Sequence, residues 1–424
     1  MVTHDTLYEL YESYDTDALR AYQEFVDLLP PVDSRVVLEF WERADAELER
    51  RKDRIRSAFD AGETLAGVAS RATRDQAFTA LDLYSSHGRP VTVLVLDVDE
   101  TLRSAGGTDN EIPLETLHAI TEFHEAGVPV VICTGQTLEN VKGFAIQGLG
   151  SELVHSGDLA IVYEAGTGVF APGHGAETKQ LLYDDLAESI RSIFEDVRGR
   201  VLTEAPADLR RGCHLQGNEF NVTVKPNYEI GSPAARELID DALVYLLDLL
   251  ADAVDEHLSA AGSDASIEPG RVDHRSLTRA FYADADPEIR RVLERDGVYP
   301  GTDANGRSDA YTDVLERIDV AYYEADAAEI GSRELTKVAG VERAFDVLDV
   351  ADPFALVMGD SKSDLRVMEW VAETDAGIAA APEHASQAVL EHALATDELV
   401  FDRGKSVDVL RTIAAMNEFA LLRE

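Results

Sequence analysis

Residues 91–102 read VTVLVLDVDETL: an uncharged apolar run, then Asp97, Asp99 and Glu100, then Thr101 and Leu102. Such a run suits a strand buried on both faces of a parallel sheet. Two more runs share its texture, PVVIC at 129–133 and FALVM at 354–358, with amphipathic stretches between them. Alternation of this kind predicts an α/β fold built on a parallel sheet. In such sheets ligands collect at the carboxyl ends of the strands, so the residues just past each run are the ones to read for chemistry.

Past the first run, extended backbone would point Asp97 and Asp99 the same way, bringing two carboxylates to one site. The tripeptide alone is weak evidence in so acidic a chain, which repeats it at Asp15-Thr16-Asp17 and Asp284-Ala285-Asp286. The strand before Asp97 and the Thr-Leu after it set this copy apart. Carboxylates side by side repel unless a cation or a proton intervenes. Past the second run stand Thr134, whose hydroxyl can donate to a phosphoryl oxygen, and Gly135, which lets backbone come close. Past the third, Asp360 and Asp364 lie four apart at the start of a helix, on one face, where both can address one cation; acids there also simply complement the helix dipole. Lys337, just before the amphipathic stretch 338–348, can neutralise a nucleophile and a phosphoryl oxygen together. Taken alone, a lysine there reads more readily as a solvated surface residue.

Composition narrows the function from another side. The 424 residues carry a formal net charge of −43, which disfavours nucleic acids and anionic membranes as partners. The acids are spread from Asp5 to Glu424 rather than gathered in a tail, the pattern of a solvated acidic surface such as proteins of cells with molar internal salt display. The two cysteines, Cys133 and Cys213, suggest neither a disulfide framework nor structural zinc. With no apolar stretch long enough to span a bilayer and no basic start followed by an apolar run, the expectation is a soluble cytoplasmic protein.

Along the chain, residues 1–88 read as a helical N-terminal extension, with Val36, Val37, Phe40, Trp41, Ala44 and Leu48 at helical spacing toward Ile55 and Phe59. Pro30-Pro31 breaks the pattern, Asp33-Ser34 supplies N-cap chemistry, and the helix that follows is expected to reach Gly62. Nothing there looks catalytic; packing or self-association of the chain is the expectation. Residues 89–169 and 331–424 form the sheet-bearing core. Between them, 170–330 reads as an inserted α+β unit, with a strand at 220–224, a helix at 234–253 and turn-rich stretches at 262–270 and 297–307. In that insertion Arg210, Arg211, His214, Asn218, Glu219 and Asn221 cluster near the strand and are candidate substrate contacts, though for each a hydrated surface position is as good a reading.

The order LVLDVDETL, VVICTG, Lys337, MGDSKSD resembles the four sequential motifs of the haloacid dehalogenase superfamily, and Tyr163-Glu164-Ala165-Gly166 resembles the E-N-G element of its large-cap subfamily, which holds Cof-type phosphatases, sugar-phosphate phosphatases and phosphomannomutase. The resemblance implies a Rossmann-like core with residues 170–330 as cap. It implies that Asp97 attacks phosphorus to form an aspartyl-phosphate, and that Asp99 protonates the leaving oxygen and then activates water. Thr134, Gly135 and Lys337 would hold the phosphoryl oxygens. Mg2+ would sit between Asp97, the backbone carbonyl of Asp99 and Asp360, supported by Asp364. Gln136 and Ser363 depart from the usual pattern without removing a charged group. The activity implied is hydrolysis of a small phosphomonoester, with a sugar phosphate the leading candidate. A phosphohexomutase and a non-catalytic metabolite-binding protein are the alternatives.

If the acidic surface reflects a salt-rich cell, self-repulsion destabilises the fold once screening is removed. The midpoint of thermal unfolding should drop on moving from molar KCl to about 0.1 M; an equal or higher midpoint in dilute buffer refutes the salt-adapted reading.

Overall fold

In the computed structural model the described residues are the whole chain except residue 1 and residues 29–34, 104–111, 145–147, 176–177, 217–219, 230, 261–272, 302–308 and 424. Five strands come first: β1 (Val93–Leu96), β2 (Val130–Cys133), β3 (Leu159–Tyr163), β4 (Gly168–Phe170) and β5 (Gln180–Leu181). Four follow, β6 (Cys213–Leu215), β7 (Val222–Pro226), β8 (Ile318–Tyr323) and β9 (Ala327–Ser332), before β10 (Ala355–Met358), β11 (Gly377–Pro382) and β12 (Leu399–Phe401). They make two sheets, β12-β11-β10-β1-β2-β3-β4-β5 and β6-β7-β9-β8. The large sheet is parallel from β12 to β3 and antiparallel at its β3-β4-β5 edge; the small one is antiparallel throughout.

The three apolar runs are thus adjacent strands, β1 between β10 and β2, with Leu96 beside both Met358 and Ile132. That register brings Asp97, Gly359-Asp360 and Thr134 to one edge of the sheet. Alternation along β1 and β2 divides the interior. Val93, Val95, Val131 and Cys133 face a core shared with the inserted segment. Leu94, Leu96, Val130 and Ile132 face a second core with the N-terminal helices and the helix Ser406–Ala420.

Among the described residues five helices precede β1: His4–Ser13, Thr16–Leu28, Arg35–Arg56, Gly62–Arg71 and Arg74–His87. Thr3 and Thr73 open the first and last of them with capping boxes, each satisfying two amides that the first turn leaves without partners. The last packs along Ser406–Ala420, where Gln76 donates to Asp408 at 3.0 Å. The long helix stops at Arg56 rather than Gly62, where the Ser57 hydroxyl takes the carbonyl of Asp53 at 2.8 Å. Its apolar stripe also divides: Ala44, Leu48 and Ile55 are buried, whereas Val36 and Phe40 stay 77% and 61% exposed. Pro30-Pro31 and Asp33-Ser34, the expected break and cap, lie outside the described residues.

In the inserted segment the helix Pro233–Ala260 outruns its predicted ends and buries Ile239, Leu243, Leu246, Leu250 and Val254 along one side. β7 begins at Val222, not Phe220, whose ring stacks on Tyr183 with centroids 4.2 Å apart. The large sheet keeps the chain as far as Leu181, so β5 lies inside the span read as inserted. Among the described residues no helix is long and apolar enough to cross a membrane.

Between β3 and β4 the backbone passes through three positive φ values in succession, Glu164 at 46°, Ala165 at 55° and Gly166 at 105°. A Cβ on Gly166 would meet the carbonyl oxygen of Thr336 at 2.0 Å, immediately before Lys337. Gly127 also has positive φ, at 79°, but a Cβ there meets nothing within 4 Å. Gly127→Ala should therefore cost about 1–2 kcal/mol, the left-handed backbone alone. Gly166→Ala should cost clearly more, because backbone must also move. Urea unfolding of the two variants checks the difference, and equal losses would show that the contact with Thr336 does not matter.

Candidate active site

Asp97 is the first residue past β1, its N–H donating to the carbonyl of Met358 at 2.9 Å. It is 6% exposed, and across from it Lys337 is 2% exposed. The lysine opens the helix Lys337–Val347. Its Nζ donates to Asp97 Oδ1 at 2.9 Å, to Asp364 Oδ1 at 2.5 Å and to the carbonyl of Cys133 at 3.3 Å. An ammonium has three protons, and here each has an acceptor. Asp364 is pinned at its other oxygen, which accepts from the Ser361 hydroxyl at 2.6 Å and the Ser361 amide at 3.1 Å in a capping box. The surface lysine allowed by sequence is thus a buried ion.

Asp360 completes the group. Oxygens of Asp97, Asp360 and Asp364 lie within 4.8 Å of one another, and the Thr101 hydroxyl donates to Asp360 at 3.4 Å. Burial, reinforced by the charge of Asp364, pushes the Asp360 carboxyl up to about 7. Burial likewise raises Asp97 well above the usual carboxylate range, with Lys337 opposing and Asp364 and Asp360 adding to it. Burial alone would lower Lys337, but Asp364 and Asp97 hold it well above its ordinary value. Three carboxylates against one ammonium leave two negative charges. A divalent cation with a taste for hard oxygen donors matches both the charge and the donor set.

Asp99 departs from expectation. Its carboxylate is not in this group: Oδ1 accepts from Arg103 at 2.6 Å and Oδ2 from Gln136 Nε2 at 2.5 Å. The strand ends at Leu96 and Glu100 turns left-handed at φ 58°, so the period-two alternation that would have aligned Asp99 with Asp97 does not persist. Gln136 and Arg103, which sequence reading gave no role, are what hold Asp99. Thr134 is buried, with its Oγ1 accepting from the Gln136 amide at 3.1 Å. Gly135 is exposed beside it, with nothing within 4 Å of a Cβ position.

A cavity of about 540 Å3 opens from Lys337 toward the second sheet. Strand alternation decides its far wall: Asp319, Ala321 and Tyr323 from β8, and Glu329 and Gly331 from β9, face it together. Of the predicted substrate contacts, Asn221 lines the cavity. Arg211 and His214 do not, because the edge strand β6 and the helix before it turn outward. Arg211 pairs with Asp208 at 2.9 Å and His214 with Asn227 at 2.8 Å, both exposed. Arg210 is exposed as well; Asn218 and Glu219 lie outside the described residues. The residues that reading overlooked are Glu329, a half-buried carboxylate accepting from the Thr223 hydroxyl at 2.5 Å, and Tyr323. The alternation of IDVAYY at 318–323 was the available signal for Tyr323; Glu329 lies in AAEIGS at 327–332. The near wall carries Lys362, paired with Asp286 at 3.1 Å and with Glu288, and Arg366, paired with Asp319. Glu164 ties the layers together by accepting from the Phe220 amide at 3.1 Å.

Residues 94–196 match the family model described as haloacid dehalogenase-like hydrolase; Asp97 lies in that span, and Lys337, Asp360 and Asp364 beyond it. No curated protein matches this chain by sequence. Solved structures it is similar to include a haloalkanoate-superfamily phosphatase from Bacteroides thetaiotaomicron, at 16% identity over 78% of this chain and 96% of that one, TM-score 0.41. A haloacid dehalogenase-like hydrolase from B. subtilis matches at 16% identity over 76% and 99%, TM-score 0.41. The trehalose-6-phosphate phosphatase of Aspergillus fumigatus matches at 12% identity over 80% and 97%, TM-score 0.40.

The folded-state value of Asp360, about 7, lies above the unfolded value of about 4. Its stabilising contribution is therefore present at low pH and is lost as pH rises through that window. A bound divalent cation should reverse the loss. In fixed molar KCl, magnesium should raise the unfolding midpoint more at pH 7.5 than at pH 5; an equal rise at both values contradicts the assignment of Asp360 to the cation site.

Proposed function

We propose that this chain is a haloacid dehalogenase-like, magnesium-dependent phosphatase acting on a small phosphomonoester, and the observation that carries the proposal is the buried Lys337 shared by Asp97 and Asp364 at the floor of the cavity. A magnesium ion held by Asp97 and Asp360, with Asp364 behind, would offset the charge of nucleophile and phosphate, whose repulsion otherwise opposes approach. The remaining steps belong to the chain. Asp97 attacks phosphorus, forming one P–O bond as the ester P–O bond breaks, and Asp99 gives its proton to the leaving oxygen. Asp99 then takes a proton from water, whose oxygen attacks phosphorus and returns Asp97 and inorganic phosphate. Lys337, the Thr134 hydroxyl and the Gly135 amide hold the phosphoryl oxygens.

The leaving group belongs in the cavity, whose volume of about 540 Å3 suits a small metabolite. Lys362 and Arg366 on its wall are already matched by Asp286, Glu288 and Asp319, which disfavours a second anionic group. Asn221, and Glu329 with its carboxyl raised chiefly by burial, suit hydroxyls instead. A sugar phosphate meets these demands.

In molar KCl with magnesium, inorganic phosphate should be released from one or a few sugar phosphates across a panel of phosphometabolites. Chelation should abolish release and magnesium restore it. Asp97→Asn should lower kcat by about 1,000-fold or more with unchanged circular dichroism; retention of most activity would overturn the mechanism. Interconversion of hexose 1- and 6-phosphates without release would make the protein a mutase, and a folded chain inert across the panel would make it a binding protein.

A further inference from the structure

Two loops carry the acids of the site, 97–103 after β1 and 359–364 after β10. A third loop, Glu383 to Ser386 after β11, touches both through backbone carbonyls. The imidazole of His384 lies 3.0 Å from the carbonyl oxygen of Glu100, so Nε2 carries the proton and donates. Two residues on, the Ser386 amide donates to the carbonyl of Asp360 at 2.8 Å. The loop is itself anchored, since the Glu383 amide donates to Phe401 on β12 at 2.8 Å and the Ala385 amide to Pro382 at 2.9 Å. His384 is largely enclosed, its side chain 19% exposed.

The carbonyl that His384 holds belongs to a residue with an unusual backbone. Glu100 adopts φ 58°, which a residue bearing a Cβ keeps only where its surroundings impose it. The turn it makes separates Asp97, in the buried acid group, from Asp99, which faces Gln136 and Arg103. The Glu100 carboxylate is tethered to the same loops, 3.2 Å from His384 and 3.5 Å from Arg403. The next residue, Thr101, donates to Asp360. Besides the Lys337 bridge between Asp97 and Asp364, the two acid loops are thus joined directly by Thr101 and through the 383–386 loop.

We infer that His384 is a positioning residue of the reaction: by donating Nε2–H to the Glu100 carbonyl it holds the left-handed turn that keeps Asp99 at its station relative to Asp97. This rests on the phosphatase reading for its kinetic consequence, but the hydrogen bond and the turn do not. Small displacements of a proton-transfer group cost rate more than binding, so kcat is the sensitive quantity.

The test uses the full chain in molar KCl with magnesium and p-nitrophenyl phosphate, whose leaving group makes no demand on the cavity's hydroxyl readers. His384→Ala should lower kcat tenfold or more while KM stays within twofold, and hydrogen–deuterium exchange of peptide 98–103 should speed up. His384→Gln, whose amide can still donate, should recover most of both. A kcat for His384→Ala within twofold of wild type overturns the inference, as does a His384→Gln variant as slow as His384→Ala, or unchanged exchange at 98–103. If His384→Ala does not fold, as judged by circular dichroism, His384→Gln and His384→Leu are compared on the same two readouts. A wild-type chain that releases no phosphate from any ester fails the functional reading alone, and exchange at 98–103 then decides the inference by itself.

Discussion

The ammonium of Lys337, buried between Asp97 and Asp364, is the contact on which the remaining structure depends. Removing one partner from a buried, hydrogen-bonded ion group typically costs about 3–5 kcal/mol, because it strands an uncompensated charge. The group cannot relax by moving, since each member starts or ends a rigid element. Asp97 directly follows β1, Lys337 opens one helix, and Asp364 lies in the first turn of another, completing its capping box. The surroundings read as a means of keeping those three starting points in register. Gly166 lets the β3-β4 turn press against Thr336, and the parallel register of β10, β1 and β2 sets the spacing between loops.

The buried group of Asp97, Asp360, Asp364 and Lys337 carries more acid than base. Burial and mutual repulsion raise Asp97 and Asp360, so folding opposes the charged form of both acids. The same logic runs through the cavity wall with opposite outcome. There Lys362 and Arg366 are matched by Asp286, Glu288 and Asp319 from the inserted segment, leaving no comparable surplus. Those pairs, with the Glu164 contact to Phe220, also join the two sheets across the cavity.

The N-terminal helices bear on the site indirectly. They cover the face of the large sheet that carries Leu94, Leu96, Val130 and Ile132, the same strands whose far ends hold Asp97 and Thr134. Without that cover, two core strands would present one apolar face to water. Their exposed residues Val36 and Phe40 show the limit of periodicity as a guide: it reports a stripe, not what meets it.

The apolar runs at 91–96, 129–133 and 354–358 were legible because strands buried on both faces have no room for charge, and with them came the places of Asp97, Thr134, Asp360 and Asp364. Short-range chemistry of this kind is written residue by residue. The partners of Lys337, the turn of Asp99 toward Gln136, and the exclusion of Arg211 and His214 from the cavity could not be read in the same way. Each depends on segments tens to hundreds of residues apart meeting at fixed distances, or on a backbone angle, that of Glu100, that only surrounding contacts impose. Sequence by itself determined which strands are buried and which acids stand at their ends. Tertiary structure decided which of those acids face one another, because electrostatic pairing and cavity shape are properties of distances between elements rather than of any element alone.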